Sequence, residues 1–256
     1  MASGRELAAP GKALTELVEL DRFTHLHASE LPTGAHKRLD VVRALMAQPR
    51  VFLLDEPTAG LNDTETAELA NLVRAIRETG SKVFLDLKLN DIPNTVARAV
   101  ESAAELDVQM LTLHLSGGSE VIRAAVSVAP DTLLLLGVTV LTSANSATLR
   151  ETGITDGVSQ QVVRLAKIGA DCGIGGIVVS AREIGALRKE IDRNVKLVIP
   201  GIRPPGSDEH DQKRTTTAAQ AVAAGADYLV VGRPVTAAPD PIVAAKQILE
   251  EIESAL

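Results

Sequence analysis

The sequence predicts an α/β fold: a TIM-type (β/α) barrel, incomplete or rearranged at its N-terminal strands, with a helical segment ahead of it. Three observations lead there. Seven short apolar runs (51–55, 82–88, 110–115, 133–141, 176–180, 196–200 and 227–232) alternate with helical patterns, and strand–helix alternation means a parallel sheet. The core must be aliphatic, because 45% of the 256 residues are hydrophobic but only 2% aromatic, with no Trp; strands rich in Val, Ile and Leu suit a parallel sheet covered by helices. The units also repeat without a sign of reversed strand order, which favours a barrel over an open sheet. A complete barrel has eight strands, and only seven runs qualify.

Along the chain, residues 1–50 read as helices only, at about 12–20 and 34–48, and form a helical segment. Residues 51–256 form the barrel. Run 51–55 opens it and leads to a helix at 64–79. Run 82–88 leads to a helix at 94–106, with Pro93 suited to the first turn. The next three runs lead to helices at 119–129, 158–168 and 182–191. The last two lead to helices at 217–224 and 241–256, the latter amphipathic.

Composition excludes several classes of function. A net charge of −7 disfavours non-specific binding to a polyanion. The scarcity of aromatic rings removes a stacking platform for single-stranded nucleic acid. No apolar run reaches about 18 residues, so no membrane span is expected. The N-terminal residues Met1 to Glu6 open no apolar signal segment, and a cytoplasmic protein is expected. Cys172 is the single cysteine, which excludes an internal disulfide and reads as a small packed side chain.

The chemistry gathers in the string from Leu85 to Thr95, where the apolar strand Val83-Phe84-Leu85 runs out into a loop. Asp86 and Lys88 share strand parity, which places both side chains on one side, and Asp91 follows after the turn. Charges at the carboxyl end of a strand in such a fold mark a site; the plain alternative is a loop ion pair worth under about 1 kcal/mol. The last two strands run into Gly201-Ile202-Arg203-Pro204-Pro205-Gly206, with Gln212 further on, and into Gly232-Arg233-Pro234. Loops after the last two strands of a barrel commonly cradle a phosphate. Arg203 and Arg233 would add bidentate bonds and Gln212 an amide hydrogen. Alternatively, the two arginines cap helix carbonyls or pair with Asp208 or Asp240. The polar run 201–216 has the composition of a closing lid. His25 and His27 lie in a polar turn without acids to make a metal site, and His36 and His210 read as surface residues. His114 and Ser180 end strands, where either could approach a ligand or be a buried, hydrogen-bonded group.

Residues 82–256 closely resemble bacterial orotidine 5′-phosphate decarboxylases. The matching strings are Asp86-Leu87-Lys88 through Thr95, Gly137-Val138-Thr139-Val140-Leu141-Thr142-Ser143, Gly201-Ile202-Arg203-Pro204, Asp211-Gln212-Lys213-Arg214 and Gly232-Arg233-Pro234. The resemblance implies a cofactor-free decarboxylase of pyrimidine biosynthesis that binds orotidine 5′-phosphate or UMP. It implies that Lys88 protonates the carbon losing carbon dioxide, that Asp86 abuts the substrate carboxylate, and that Asp91 reaches across a homodimer interface. Thr95 and Thr142 would bind substrate, Thr142 near the pyrimidine. Arg203, Gln212, Gly232 and Arg233 would surround the phosphate. Asn90 stands where members often carry His.

Residues 1–80 resemble a different family. Glu30 to Leu45, followed by Val51-Phe52-Leu53-Leu54-Asp55-Glu56-Pro57-Thr58-Ala59-Gly60-Leu61-Asn62, looks like the signature helix, Walker B strand and D-loop of an ABC-transporter ATPase. There Asp55 would hold Mg²⁺ and Glu56 would position water. No GxxxxGK[ST] occurs in the sequence, so ATP hydrolysis is not expected. Leu115-Ser116-Gly117-Gly118-Ser119 is read as a loop coincidence with the ABC signature. The resemblances imply a chimera joined near 80–82. Leu54-Asp55-Glu56-Pro57-Thr58 also resembles the end of the decarboxylase's first strand, Leu-Asp-x-Pro-Thr, whose Asp holds the ribose. Asp55 takes that role if the run sits first in the barrel, and the run could equally sit second. The family's strand-two lysine, from a Lys-Val-Gly string, has no counterpart here. The expectation is a surviving fold and phosphate site with severely reduced turnover. The rivals are a non-catalytic scaffold that retains a nucleotide phosphate site and, last, an ABC-type ATPase subunit.

Overall fold

The computed structural model describes residues 20–58, 62–204 and 215–256. In chain order the elements are α1 (Thr33–Leu45), β1 (Val51–Asp55), α2 (Asp63–Glu78), β2 (Lys82–Leu89), α3 (Pro93–Glu105), β3 (Met110–His114) and α4 (Gly118–Val128). They continue with β4 (Leu134–Val138), α5 (Ser146–Glu151), α6 (Val158–Asp171), β5 (Gly176–Val178), α7 (Ile184–Glu190) and β6 (Lys196–Ile199). The last are α8 (Ala218–Ala224), β7 (Tyr228–Leu229), α9 (Arg233–Thr236) and α10 (Pro241–Glu253). All seven expected strands form, most of them shorter than their apolar runs. They lie in one sheet in chain order, β1 to β7, and β1–β2, β4–β5, β5–β6 and β6–β7 pair in parallel. Order without reversal is the barrel arrangement; a doubly wound sheet has a switch point.

Helix ends follow local chemistry. Asn145 accepts from the N–H groups of Ala147 and Thr148 and starts α5, which the sequence reading missed because six residues show no period. Thr217 caps α8 and Asp240 caps α10, so Asp240 serves the backbone of its own helix. The expected helix 182–191 opens with a 3₁₀ turn, Ala181–Glu183, before α7. The expected helix 12–20 lies, apart from Leu20, outside the described residues.

The chain divides into two compact units: residues up to Leu87 with 99–111 and 130–133, and residues 88–98, 112–129 and 134–256. In the first, β1 alternates strictly, with Phe52 and Leu54 buried and Val51, Leu53 and Asp55 exposed. Leu72, Val73 and Ile76 of α2 and Val41, Val42 and Leu45 of α1 are buried apolar residues of this unit. Arg38 of α1, itself buried, meets Glu68 of α2 at 2.8 Å.

In the second unit, α4 buries Val121, Ile122 and Ala125, and α6 buries Val162, Leu165 and Ala166, both helix-period stripes. Leu115 sits between these elements and β4 with no exposure. A Cβ at Gly137 would come within 2.5 Å of its Cδ2, so β4 needs glycine there for close approach rather than for backbone freedom. The same unit contains a charged node. Arg188 of α7 donates to Gly225 O, Val195 O and the Asp227 carboxylate, which also accepts from Leu197 N–H at 2.8 Å. Burial raises the Asp227 carboxyl, but the Leu197 bond and the Arg188 and Lys196 charges together outweigh it and hold it below the ordinary value.

Two outcomes follow for stability. Gly137→Ala should cost about 1–3 kcal/mol through overpacking against Leu115, read as a lowered midpoint in denaturant; an unchanged midpoint would contradict the packing argument. Because the folded-state pKa of Asp227 is depressed, its contribution is complete above the usual carboxylate value of about 4 and is lost as pH falls through the lower folded value. Arg188→Ala should therefore lose stability at neutral pH and show a shallower acid-induced decline than the parent chain, measured by thermal unfolding between pH 2 and 7.

Candidate active site at the carboxyl ends of the strands

Parallel pairing brings two of the singled-out carboxylates together. β1 and β2 run in register from Val51↔Lys82 to Asp55↔Asp86, and the ladder extends one bond further, Glu56 N–H donating to Asp86 O at 2.9 Å. Paired residues of neighbouring strands point to the same face, so Asp55, exposed, stands beside half-buried Asp86. The run 51–55 is therefore the immediate neighbour of the Asp-Leu-Lys strand and comes first in the sheet order of the described residues.

Lys88 has a left-handed backbone, φ +51°, within β2. That conformation costs a residue with a side chain roughly 1–2 kcal/mol and signals a functional constraint when tertiary structure holds it. It also corrects the parity argument: the pleat is interrupted at Lys88, so alternation no longer dictates that its side chain follows that of Asp86. The Lys88 N–H donates to Thr112 Oγ1 at 2.8 Å. Thr112 is a buried hydroxyl in β3, 1% exposed. Sequence reading passed over it; the one signal was a polar residue inside the apolar run 110–115.

The other residues of the second unit occupy strand-end loops. Asp91 is exposed in the turn after β2, where its Oδ1 accepts from Ile92 N–H at 2.6 Å. Thr95 is exposed on the first turn of α3. Thr142 is half-buried in the turn after β4, which Ala144 N–H closes on Leu141 O at 3.0 Å. After β6, Gly201 takes φ +78° and an Ile202↔Thr216 bridge forms. Arg203 N–H donates to Thr216 O at 2.8 Å and its Nη1 to Ile202 O at 2.7 Å. This bridge ties together the described ends of the run 201–216; Gln212, Asp208, His210 and the expected lid fall outside the described residues. Gly232 precedes α9 and Arg233 begins it, both exposed, and a Cβ at Gly232 would meet no described atom within 4 Å.

Other candidates take structural roles. Ser180 is buried and its Oγ accepts from Arg182 N–H, capping the 3₁₀ turn. Leu115-Ser116-Gly117 forms a 3₁₀ turn into α4. Buried Cys172 follows α6 and packs by Ser119 O.

The comparisons with known proteins give the family. The profile of the Orotidine 5′-phosphate decarboxylase / HUMPS family matches residues 57–248. The chain belongs to this family. Among curated relatives it is 51% identical to an orotidine 5′-phosphate decarboxylase of Opitutus terrae over 186 residues, 71% of this chain and 80% of that protein. It is 47% identical over 190 residues to one of Vibrio cholerae, 73% of this chain and 80% of that protein. Among solved structures, orotidine 5′-phosphate decarboxylase from Lactobacillus acidophilus superposes with TM-score 0.63 at 30% identity, covering 80% of this chain and 98% of that one. An uncharacterized conserved protein from Geobacillus kaustophilus gives TM-score 0.65 at 26% identity, covering 87% and 97%. The fold is therefore TIM-type. The family match begins at residue 57, ahead of the joint expected at 80–82, so the family segment reaches back into the stretch that resembles an ABC ATPase.

The register pair makes one prediction. If Asp55 acts chiefly as a like charge beside Asp86, Asp55→Asn should tighten binding of a nucleoside monophosphate such as UMP by about 1 kcal/mol, roughly fivefold. Titration calorimetry decides it, and weaker binding would support the ligand-holding role expected of Asp55.

Proposed function

We propose that this chain is a carboxy-lyase that converts orotidine 5′-phosphate to UMP and carbon dioxide, with Lys88 as the proton donor, and that its turnover is low for the family. The observation that carries the reading is Lys88 itself: a left-handed lysine at the carboxyl end of a strand, its backbone N–H held by a buried hydroxyl, in a chain 45–51% identical to decarboxylases. In the proposed step the bond between the ring carbon and its carboxylate breaks, the electron pair stays on the ring carbon, and Lys88 Nζ delivers a proton there. Asp86 disfavours the substrate carboxylate in the ground state, and binding of the remote phosphate offsets that repulsion. Arg203, Gln212, Gly232 and Arg233 are assigned to the phosphate, and Thr95 and Thr142 to the rest of the nucleotide. No cofactor is invoked.

Asp91 is assigned a role across a homodimer. Its exposure, and that of neighbouring Ile92 at 66%, supports a partner surface there. The low turnover is argued from charge. The family's strand-two lysine has no counterpart in the sequence, and Asp55, an acid, is the register neighbour of Asp86. One further acid and one fewer cation weaken the hold on an anionic substrate. A cytoplasmic location accords with the family's chemistry, and no helix among the described residues is long and apolar enough to cross a membrane. The ABC-like string 51–62 is read as sequence ancestry without ATPase function, because the phosphate loop is missing from the sequence.

The test is a decarboxylation assay on purified protein, following loss of orotidine 5′-phosphate absorbance. The expected rate is measurable yet well below that of ordinary family members, and Lys88→Ala should lower it by a further 10²–10⁴-fold, or about that. A rate equal to ordinary members would remove the low-turnover claim. No turnover together with no UMP binding would remove the lyase reading and leave a scaffold.

A further inference from the structure

We infer that Thr112 is a positioning residue for Lys88, setting the direction in which the lysine leaves the sheet. The inference rests on the function proposed for Lys88 but is drawn from different observations. A lysine with φ +51° inside a strand gives up pleated geometry, so its N–H points away from the regular ladder and needs an acceptor of its own. The acceptor is a side chain, Thr112 Oγ1 at 2.8 Å. Thr112 is 1% exposed and flanked in β3 by Leu111 and Leu113, neither exposed at all. A β-branched residue packed this tightly keeps one χ1 rotamer, so its hydroxyl is a fixed point rather than an adaptable one.

The consequence reaches the side chain through the backbone. Rotating φ into the left-handed region swings Cα–Cβ off the alternation that an extended residue would follow. Where Lys88 Cβ points, and hence the region its Nζ can sweep, depends on the backbone holding that conformation. With the acceptor removed, the cost of the left-handed state is no longer offset at that N–H, and the extended conformation competes. Thr112 need not touch a ligand to influence proton delivery; it acts through one hydrogen bond to the lysine's own amide. A displacement of the proton donor by about 1 Å is enough to cost roughly 10²-fold in rate.

The test uses Thr112→Val, which keeps the β-branched shape and removes the acceptor, with Thr112→Ser as the variant that keeps the hydroxyl. Two readouts are needed: steady-state decarboxylation of orotidine 5′-phosphate, and residue-resolved hydrogen exchange of the Lys88 amide by NMR. The expected result for Thr112→Val is a kcat at least tenfold lower with KM within about twofold, and Lys88 exchange at least tenfold faster while amides of β4 to β6 keep their protection. Thr112→Ser should restore both. The inference is overturned if Thr112→Val leaves kcat and Lys88 exchange unchanged, or if kcat, KM and exchange throughout the sheet change together, as for general destabilisation. If the parent chain shows no turnover, UMP binding decides the lyase reading, and Lys88 exchange alone decides the role of Thr112.

Discussion

The parallel register of β1 against β2 is the constraint on which the chemistry of this chain depends. Five consecutive residue pairs run from Val51↔Lys82 to Asp55↔Asp86. A slip by one residue would turn every side chain of β1 to the other face. Phe52 and Leu54 would leave the core and Leu53 and Asp55 would enter it, an outcome that the cost of burying a carboxylate opposes. The hydrophobic pattern of five residues thus dictates that an acid stands beside Asp86.

Elsewhere the strand-end groups rest on local devices. Lys88 is held in an uncommon backbone state by a buried threonine. Arg203 begins a loop whose described ends are joined by the Ile202↔Thr216 bridge. Gly232 leads into a short helix through a backbone with no described atom near its Cβ position. The charged node of Arg188 and Asp227 is of a different kind: it collects two carbonyls, a strand amide and Lys196 around the Arg188–Asp227 pair, consolidating the frame. The tight contact of Gly137 with Leu115 is the apolar counterpart. The uncommon backbone sits at Lys88, the proposed proton donor, and satisfied, close-packed groups sit around Arg188 and Gly137.

The two resemblances weigh differently once the structure is in view. The decarboxylase strings that lie in the described residues fall at or near strand carboxyl ends, where a (β/α) fold puts chemistry, and the family match runs back to residue 57. The ABC-like string shares with the decarboxylase resemblance a short apolar strand and the ending Leu54-Asp55-Glu56-Pro57-Thr58. Without a phosphate cradle those acids have no nucleotide triphosphate to act on.

What the sequence determined by itself was the list of strands, most helices, their order, and the residues that carry charge at strand ends. Those follow from periodicity, from Pro and capping residues at helix starts, and from strings read directly. The short helices α5 and α9 escaped because four to six residues carry no period. Three things were decided only by tertiary structure. The place of β1 beside β2 depends on which strand supplies its hydrogen-bond partners, and pairing leaves no local mark. The left-handed state of Lys88 contradicts its own strand propensity and persists because a residue of another strand accepts its amide hydrogen. The importance of Thr112 could not be read from one polar letter in an apolar run, because a buried hydroxyl gains meaning only from the group that bonds to it.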